Sequence, residues 1–512
     1  MEIEKKIKTR KSAPKTRTGC LTCKIRRVKC DEARPGCARC ASTGRKCDGY
    51  RIPQKKESTS PPSVVLARSL NTGAPFDALE GNTIDFFRRN TVPGVSGYFI
   101  DPVWDLALQL SQQDMTVRHA MVAMGALHQE IHLKKMAAKA SMDFSLTKSK
   151  FPTFQYTKAL NGLQTLLKSD SVPLNVAIIS IILFVHFETL RENFAPALLH
   201  LENGIKLLRA RVASSKEKVE DSLVQSFSRI DLQASIIFEW RAPGMASLIS
   251  SDLQVPKLFY DMQHARDIIA AWTSHLYHLK RTEVDHFIYG EPGSIPLETI
   301  ASIQHLESVF INLDGLLWDF MHSPKTRLTI YEQHGLGNLR SRVKVNRIIA
   351  GTCLYAEASV YDRYLKEFEE IMVICNHIIE TDSGDRRLIS VSLDEGLILP
   401  LNFVARLCRD GRIRHQALLQ LRRMTADQDI KGMNWYLQTT AGTAELCIGF
   451  EEEGHEGKVL KCKDIAEERR IHVYDIHGWD LSSLATCVQV RLMTKPNGMD
   501  GEWVEERRFI KW

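Results

Sequence analysis

Apolar side chains recur at intervals of three and four residues through most of this chain, which is the spacing of one helix face. One series is Tyr156, Ala159, Leu160, Leu163 and Leu167. Similar series run over residues 198–208 and 223–237. At Asp101-Pro102 an acidic residue and a proline precede Val103 and Trp104, a pattern typical of a helix start. The pattern predicts a large all-α body.

Two segments depart from this spacing. Near the end of the chain Val488, Val490 and Leu492 alternate with polar residues, and with the run 471–476 they predict a terminal β-hairpin. The stretch 176–185, VAIISIILFV, is apolar throughout. It is far shorter than the roughly 20 residues of a spanning helix. We therefore expect a buried core helix and no membrane partner.

Cysteine spacing is the strongest chemical signal. Six of the 12 cysteines are Cys20, Cys23, Cys30, Cys37, Cys40 and Cys47. They form two copies of Cys-x2-Cys-x6-Cys, and each copy offers three thiolates, whereas a structural Zn²⁺ takes four. If two zinc ions share two of the six sulfurs as bridges, each metal reaches four ligands. The spacing predicts a small zinc-nucleated cluster that holds two Zn²⁺.

A disulfide framework is the competing interpretation of these cysteines. It suits a small domain made in an oxidising compartment. The N-terminus, MEIEKKIKTRKSAPKTR, has no apolar stretch of the kind a signal peptide carries, which favours a reducing compartment and therefore metal. The six later cysteines have no paired spacing and are interpreted as buried small apolar residues. They are Cys353, Cys375, Cys408, Cys447, Cys462 and Cys487.

Charge is strongly polarised along the chain. Residues 1–56 hold 18 Lys and Arg against 5 Asp and Glu, whereas the remainder holds 50 against 56. A basic module on a slightly acidic body is the electrostatic signature of nucleic-acid binding. The basic arm at 1–16 fits nuclear import, phosphate contact or both.

The run between Cys23 and Cys30 concentrates this charge. A short helix beginning near Cys20 would carry Arg26 and Arg27 near its tip, where an arginine can bind O6 and N7 of guanine. Lys24 and Lys29 suit phosphate contacts. We expect these four cations to contact DNA.

The pattern Cys-x2-Cys-Lys-x-Arg-Arg-x-Lys-Cys, followed by Arg34-Pro35-Gly36 and the second cysteine set, resembles the fungal zinc binuclear cluster family of transcription factors. The resemblance covers residues 17–50. It implies that Cys20 and Cys37 bridge both zincs. It also implies that Arg27 is the main reader of a CGG-type triplet with Arg26 assisting, that Lys24 and Lys29 contact phosphates, and that Pro35 is the often cis proline between the halves.

The body is similar to the regulatory domain of fungal transcription factors. The similarity rests on Ser96-Gly97-Tyr98-Phe99 with Trp104, on 118–128, and on 407–418. The resulting architecture is a basic arm at 1–16, a small zinc-nucleated two-helix cluster domain at 17–50, a linker at 51–75 and a large all-α regulatory domain at 76–512. It implies a nuclear, sequence-specific regulator of RNA polymerase II transcription whose partners are duplex DNA with CGG-type half-sites and the transcription machinery.

Dimerisation and regulation stay open. Residues 64–80 fall short of the three or four heptads that indicate a coiled coil, so a homodimer is neither predicted nor excluded. Glu451, Glu452, Glu453 and Glu456 lie beside Gly454 and Gly457. This charge run indicates a solvated loop more than an activation surface.

One histidine pair has the spacing that zinc proteases use. His128 and His132 lie one helical turn apart, but Gln129 occupies the place where a zinc protease has its glutamate base. We therefore expect no enzyme. The alternatives are a helical ligand-binding or enzymatic body with an appended zinc cluster, and a cluster that binds RNA or protein.

Overall fold

The computed structural model divides the chain into two compact units, Met1–Leu70 and Asn71–Trp512. It describes residues 19–50, 77–139, 150–168, 173–214, 220–246, 253–289, 294–324, 326–381, 396–426, 434–455, 457–477 and 487–511. The predicted basic arm at 1–16, the linker at 51–75 and most of 64–80 lie outside these residues.

The first unit is built on two short helices, α1 (Leu21–Ile25) and α2 (Ala38–Ala41). Each begins after a cysteine, Cys20 or Cys37, whose sulfur accepts a hydrogen bond from the backbone N–H three residues later. A sulfur thus occupies the capping position where Ser, Thr or Asp usually stands. The predicted two-helix cluster domain is confirmed.

The second unit is largely helical, as predicted. Its α-helices are α3 (Ala78–Phe86), α4 (Val92–Ser96), α5 (Val103–Leu110), α6 (Met115–Lys139), α7 (Phe151–Leu167), α8 (Leu174–Leu190), α9 (Phe194–Ser214), α10 (Asp221–Ile237), α11 (Met262–Leu279), α12 (Asp285–Tyr289), α13 (Leu297–His322), α14 (Ile330–Thr352), α15 (Leu365–Thr381), α16 (Ile398–Leu407), α17 (Gly411–Ala426) and α18 (Asn434–Glu452). Many helices that are consecutive in the sequence pack against each other, among them α6 with α7, α8 with α9 and α13 with α14.

The apolar stretch inside α8 is the centre of this core. Every residue of Leu174–Leu190 except Asn175 is buried. The buried His186 donates from Nδ1 to the Ile182 carbonyl at 2.8 Å, and burial lowers its pKa to about 4. The prediction of a core helix is confirmed, and none of the helices in the described residues is long and apolar enough to cross a membrane.

A three-stranded antiparallel sheet, in the order β1-β2-β3, follows the helices. The strands are β1 (Val473–His477), β2 (Cys487–Thr494) and β3 (Val504–Lys511). The predicted strand pair is confirmed, with Tyr474 opposite Leu492, and Val488, Val490 and Leu492 are buried. The sequence did not indicate β3, because its residues are charged and mostly exposed and only Ile510 is buried. Ile510 packs over Gly442, where a Cβ atom would clash with it.

A buried ion cluster ties the sheet segment to the helices. The Glu451 carboxylate accepts hydrogen bonds from Arg409 Nη2 at 2.9 Å, Arg414 Nη2 at 2.8 Å and the backbone N–H of Ile471 at 3.0 Å. All three charged side chains are 0% exposed. Burial alone would raise the pKa of Glu451, but the two guanidinium groups outweigh it and lower the pKa to about 2. The interpretation of Glu451 as part of a solvated loop is wrong, since α18 continues through it into the core.

The predictions for His128 and for the six later cysteines have different outcomes. His128 is buried in α6, with Nδ1 3.0 Å from the Thr91 hydroxyl, so it has a structural partner as expected. Four of the six later cysteines are buried, namely Cys353, Cys375, Cys408 and Cys447. Cys462 is half-buried and Cys487 is exposed at the start of β2. The expectation of burial is therefore wrong for Cys487, which lies on the exposed side of an alternating strand.

Replacing Glu451 by Gln should destabilise the second unit by about 3–5 kcal/mol, because it leaves two buried guanidinium groups without their shared counter-charge. Urea unfolding of the full chain at neutral pH measures this loss. The matched control is Glu453→Gln, whose carboxylate is 62% exposed and lies 3.3 Å from Arg469. It should change the free energy of unfolding by less than about 1 kcal/mol. Equal effects of the two variants would contradict the structural role of the cluster.

The stability difference between the wild type and Glu451→Gln should depend on pH. Glu451 has a pKa of about 2 in the folded chain and about 4.3 when unfolded. Its contribution is therefore fully present above the unfolded value and is lost as the pH falls towards the folded one. Urea titrations at falling pH should show the difference narrowing below about pH 4. A difference that widens in acid would contradict this linkage.

Candidate zinc centre and nucleic-acid interface

The two halves of the cluster unit repeat one local structure with an offset of 17 residues. In the first half the backbone N–H of Cys20 donates to Cys30 Sγ at 3.4 Å. In the second half the N–H of Cys37 donates to Cys47 Sγ at 3.5 Å. The sequence repeat is therefore a structural repeat, and each half directs its three sulfurs to the centre of the unit.

Six sulfurs converge into two overlapping groups. Cys20, Cys23, Cys30 and Cys37 form one group, and Cys20, Cys37, Cys40 and Cys47 form the other, with all sulfurs of a group within 4.8 Å of one another. The Sγ atoms of Cys20 and Cys37 are 3.5 Å apart, those of Cys23 and Cys37 3.7 Å and those of Cys20 and Cys40 3.8 Å.

These distances suit zinc. A tetrahedral site with Zn–S bonds of about 2.3 Å places its sulfurs about 3.8 Å apart. The shared members of the two groups, Cys20 and Cys37, are those that the family resemblance implies as bridges. The residues present therefore fit a binuclear sulfur cluster.

Burial and local hydrogen bonds shift the pKa values of the cysteine thiols in different directions. Burial raises the pKa of the Cys37 thiol. Burial also acts against ionisation of Cys30, but the backbone N–H groups of Cys20 and Glu32 outweigh it and lower the pKa of Cys30 to about 6. The N–H of Cys37 lowers the pKa of Cys47 in the same way. Since zinc binds the thiolate, backbone donors favour the ligand form at the last cysteine of each half.

The helix of each half ends in the same left-handed turn, but with different residues. Arg27 has φ +55° after α1, and Gly44 has φ +63° after α2. In both turns a backbone N–H closes the helix, from Val28 to the Cys23 carbonyl and from Arg45 to the Cys40 carbonyl, each at 3.1 Å. Glycine is the usual residue in this conformation.

Arginine at this position carries a conformational cost on the order of 1 kcal/mol, which the second half avoids with glycine. The fold therefore does not require the Arg27 side chain. A strained residue that the fold does not need points to a role outside the fold, and the exposed guanidinium is free to take one.

The four predicted DNA-contacting cations do not have equal freedom. Lys24, Arg27 and Lys29 are exposed. Arg26 is half-buried, and its Nη1 donates to Thr43 Oγ1 of the second half at 3.2 Å. As predicted, the arginine pair lies at the tip of α1, with Arg26 as the C-cap and Arg27 directly after it.

Polar contacts that sequence reasoning missed hold the halves together. The Thr22 hydroxyl donates to Asp48 Oδ2 at 2.7 Å and accepts from the Asp48 N–H at 3.0 Å. The Asp31 carboxylate accepts from the N–H groups of Ala38 and Arg39 at 2.9 and 3.0 Å, which satisfies the start of α2. The hydrogen bond from the Arg39 N–H is the main reason that the pKa of Asp31 is lowered. No local sequence pattern signals these partners, since they lie 7 to 26 residues apart.

The loop between the halves has its own support. The Arg34–Pro35 peptide is cis, as the resemblance implied. The Tyr50 hydroxyl donates to the Ala33 carbonyl at 2.8 Å, and the Arg34 guanidinium lies 5.2 Å from the centre of the Tyr50 ring. Tyr50 thus holds the loop from outside the cysteine repeat.

Two family models match the chain. The fungal Zn(2)-Cys(6) binuclear cluster domain matches residues 18–57, and the fungal specific transcription factor domain matches residues 82–312. The first match covers all six clustered cysteines, and the second covers the first part of the helical body. Both are domains of transcription factors, not of enzymes.

Two curated relatives are similar to part of the chain. The aspercryptin biosynthesis cluster-specific transcription regulator atnN of Emericella nidulans is 28% identical over 231 residues, which are 38% of this chain and 35% of the relative. The transcription regulator lscL of Purpureocillium lilacinum is 29% identical over 209 residues, which are 37% of this chain and 48% of the relative. The matches thus span about a third and about half of these relatives. No solved structure matches the chain.

Proposed function

Because the chain carries the two domains of a fungal zinc binuclear cluster transcription factor, we propose that it is a sequence-specific regulator of RNA polymerase II transcription. It acts in the nucleus and reads CGG-type sites in GC-rich duplex DNA. Its cluster holds two Zn²⁺, with Cys20 and Cys37 as bridging ligands. Cys23 and Cys30 complete one site, and Cys40 and Cys47 complete the other.

The overlap of the two four-sulfur groups carries this proposal. Cys23 and Cys30 belong to the same group, so zinc binding closes the six-residue loop between them. Four of those six residues are Lys or Arg, and their mutual repulsion opposes a compact loop. Zinc supplies structural cross-links here, and the chain's own cations supply the chemistry towards DNA.

Each cation has a role that follows from its setting. Arg27, exposed at the strained turn, donates to O6 and N7 of a guanine in the major groove. Arg26, held by Thr43, assists with a shorter reach. Lys24 and Lys29 bind phosphates, which positions the helix but carries no sequence information.

The remaining partners are proposed from the same architecture. The basic residues at 1–16 serve nuclear import or add phosphate contacts. The helical body engages the transcription machinery, and a homodimer would let two clusters read two half-sites at a set spacing.

Removing a cysteine that bridges both zinc ions should release more zinc than removing a cysteine that binds only one ion. The wild-type chain should hold two zinc ions, Cys37→Ser should lose both, and Cys47→Ser should keep the ion of the first group. Metal analysis of the purified full chain by mass spectrometry measures this. Cys487→Ser, at an exposed cysteine outside the cluster, is the control and should keep both ions. Full zinc content in Cys37→Ser would show that the bridging assignment is wrong.

Replacing Arg27 by Gly should separate DNA reading from folding. Glycine suits the left-handed turn, so zinc content should stay unchanged, while discrimination at one base pair should fall by about 1–3 kcal/mol. Lys24→Ala should instead weaken binding to all duplexes alike and reduce the slope of affinity against salt by about one ion. Salt titrations on CGG-containing and scrambled duplexes measure both effects.

The matched control is Arg45→Ala, at an exposed arginine beside the equivalent turn of the second half. It should keep the base preference of the wild type. If Arg27→Gly and Lys24→Ala behave alike, the division into base reading and phosphate contact fails.

A further inference from the structure

The second unit contains a cavity of about 360 Å³ between its helices and its terminal sheet. Its wall comes from residues 236–285 and from residues 349–491. The match to the fungal specific transcription factor domain ends at residue 312, so the wall joins the matched and unmatched parts of the body. The volume lies in the range of about 300–1,000 Å³ of small-molecule sites.

Much of the cavity wall is aromatic. Its aromatic residues are Trp240, Tyr277, Tyr361, Phe403 and Tyr474. Trp240 is 63% exposed, whereas Tyr277 and Phe403 are buried. The exposed indole of Trp240 offers a flat apolar face beside the cavity on which an aromatic ligand can pack.

Cations outnumber carboxylates along the wall. The cations are Lys280, Arg281, Arg406 and Arg491, and the carboxylates are Glu239 and Asp285. Asp285 is already bound by Lys280 at 2.5 Å and Arg281 at 2.9 Å. Glu239 accepts from the Tyr474 hydroxyl and lies 3.7 Å from Arg406 Nη1, too far for a hydrogen bond. Arg491 also lies 3.6 Å from Glu505, which is outside the wall, so the excess of positive charge belongs to the wall residues themselves.

Arg406 is a wall cation with two unused donors. Its Nε and Nη1 are buried and have no hydrogen-bond partner among the residues that the structure describes. The guanidinium carbon lies 3.7 Å from the centre of the Tyr474 ring, which is a cation–π contact. Asn402, one helical turn earlier in α16, has a buried Oδ1 that likewise lacks a partner in the described chain. Buried charged donors without acceptors are costly, and a ligand carboxylate would satisfy them.

We propose that this cavity binds a small aromatic hydroxy acid. The carboxylate accepts from Arg406, the hydroxyl donates to Asn402 Oδ1, and the aromatic body lies against Trp240 and Phe403. Binding joins α16 to the segment after α10 and therefore stabilises the second unit. The site lies wholly within that unit, so this inference and the DNA-binding proposal stand or fall separately.

The test uses the full zinc-loaded chain with 3-phenyllactate as probe and 3-phenyllactamide as its uncharged counterpart. Thermal unfolding should shift upward with 3-phenyllactate and saturate, and the amide should bind at least about tenfold more weakly because it lacks the charge. Quenching of tryptophan fluorescence by 3-phenyllactate should be reduced in Trp240→Phe.

Arg406→Gln should weaken binding of 3-phenyllactate at least about tenfold. The control is Arg412→Gln, whose side chain is 65% exposed and bonds Glu369 at 2.9 Å, and it should bind as the wild type does. If Arg406→Gln does not fold, Trp240→Ala replaces it, since the exposed indole contributes little to the core.

The proposal is overturned if 3-phenyllactate at about 10 mM leaves the thermal unfolding transition of the wild type unchanged. Equal binding of acid and amide, or undiminished binding by the folded variants, overturns it as well.

Discussion

Two cysteines that belong to both four-sulfur groups are the constraint on which the first unit depends. Each half of the cluster unit brings three cysteines, one fewer than a tetrahedral zinc site needs. Neither half can therefore complete a metal site alone. Cys20 and Cys37, with sulfurs 3.5 Å apart, belong to both groups and join the halves. The buried core of the unit consists of cysteines, so ordinary apolar packing contributes little. The geometry of the basic loop therefore follows from the positions of the converging cysteines.

In the helical body, an apolar core packs the helices and buried polar groups connect particular elements. Its helices bury an extensive apolar core, of which α8 is the most complete example. The fully buried Glu451 accepts from Arg409 and Arg414 and so connects α18, α17 and the segment that leads into the sheet. At the nearby cavity Arg406 has no such hydrogen-bonded carboxylate, because Glu239 lies 3.7 Å away. Glu451 is fully hydrogen-bonded within the fold, whereas the proposed ligand would bring a carboxylate to Arg406.

The sequence predicted what short-range patterns encode. Cysteine spacing predicted the group of six converging sulfurs, helical spacing predicted the helical body, and alternation at Val488, Val490 and Leu492 predicted a strand. It missed contacts between distant residues, such as Thr22 with Asp48. It also missed the location of Glu451, because acidic residues before a glycine suggest a solvated loop until their distant arginine partners are known. The offset of 17 residues between the two halves aligns Arg27 with Gly44 in the sequence. The strain at Arg27 becomes evident only from the backbone angles, because both residues have positive φ.

We propose that a cluster joined by shared sulfurs presents Arg27 to a guanine in duplex DNA. Selection of binding sites from random duplex DNA by the zinc-loaded full chain tests this proposal. CGG-type triplets should be enriched, and the spacing between them should report whether one cluster or two bind. Zinc chelation should abolish that enrichment. Enrichment of sequences without a GC-rich triplet, or the same enrichment after zinc removal, would contradict the proposal.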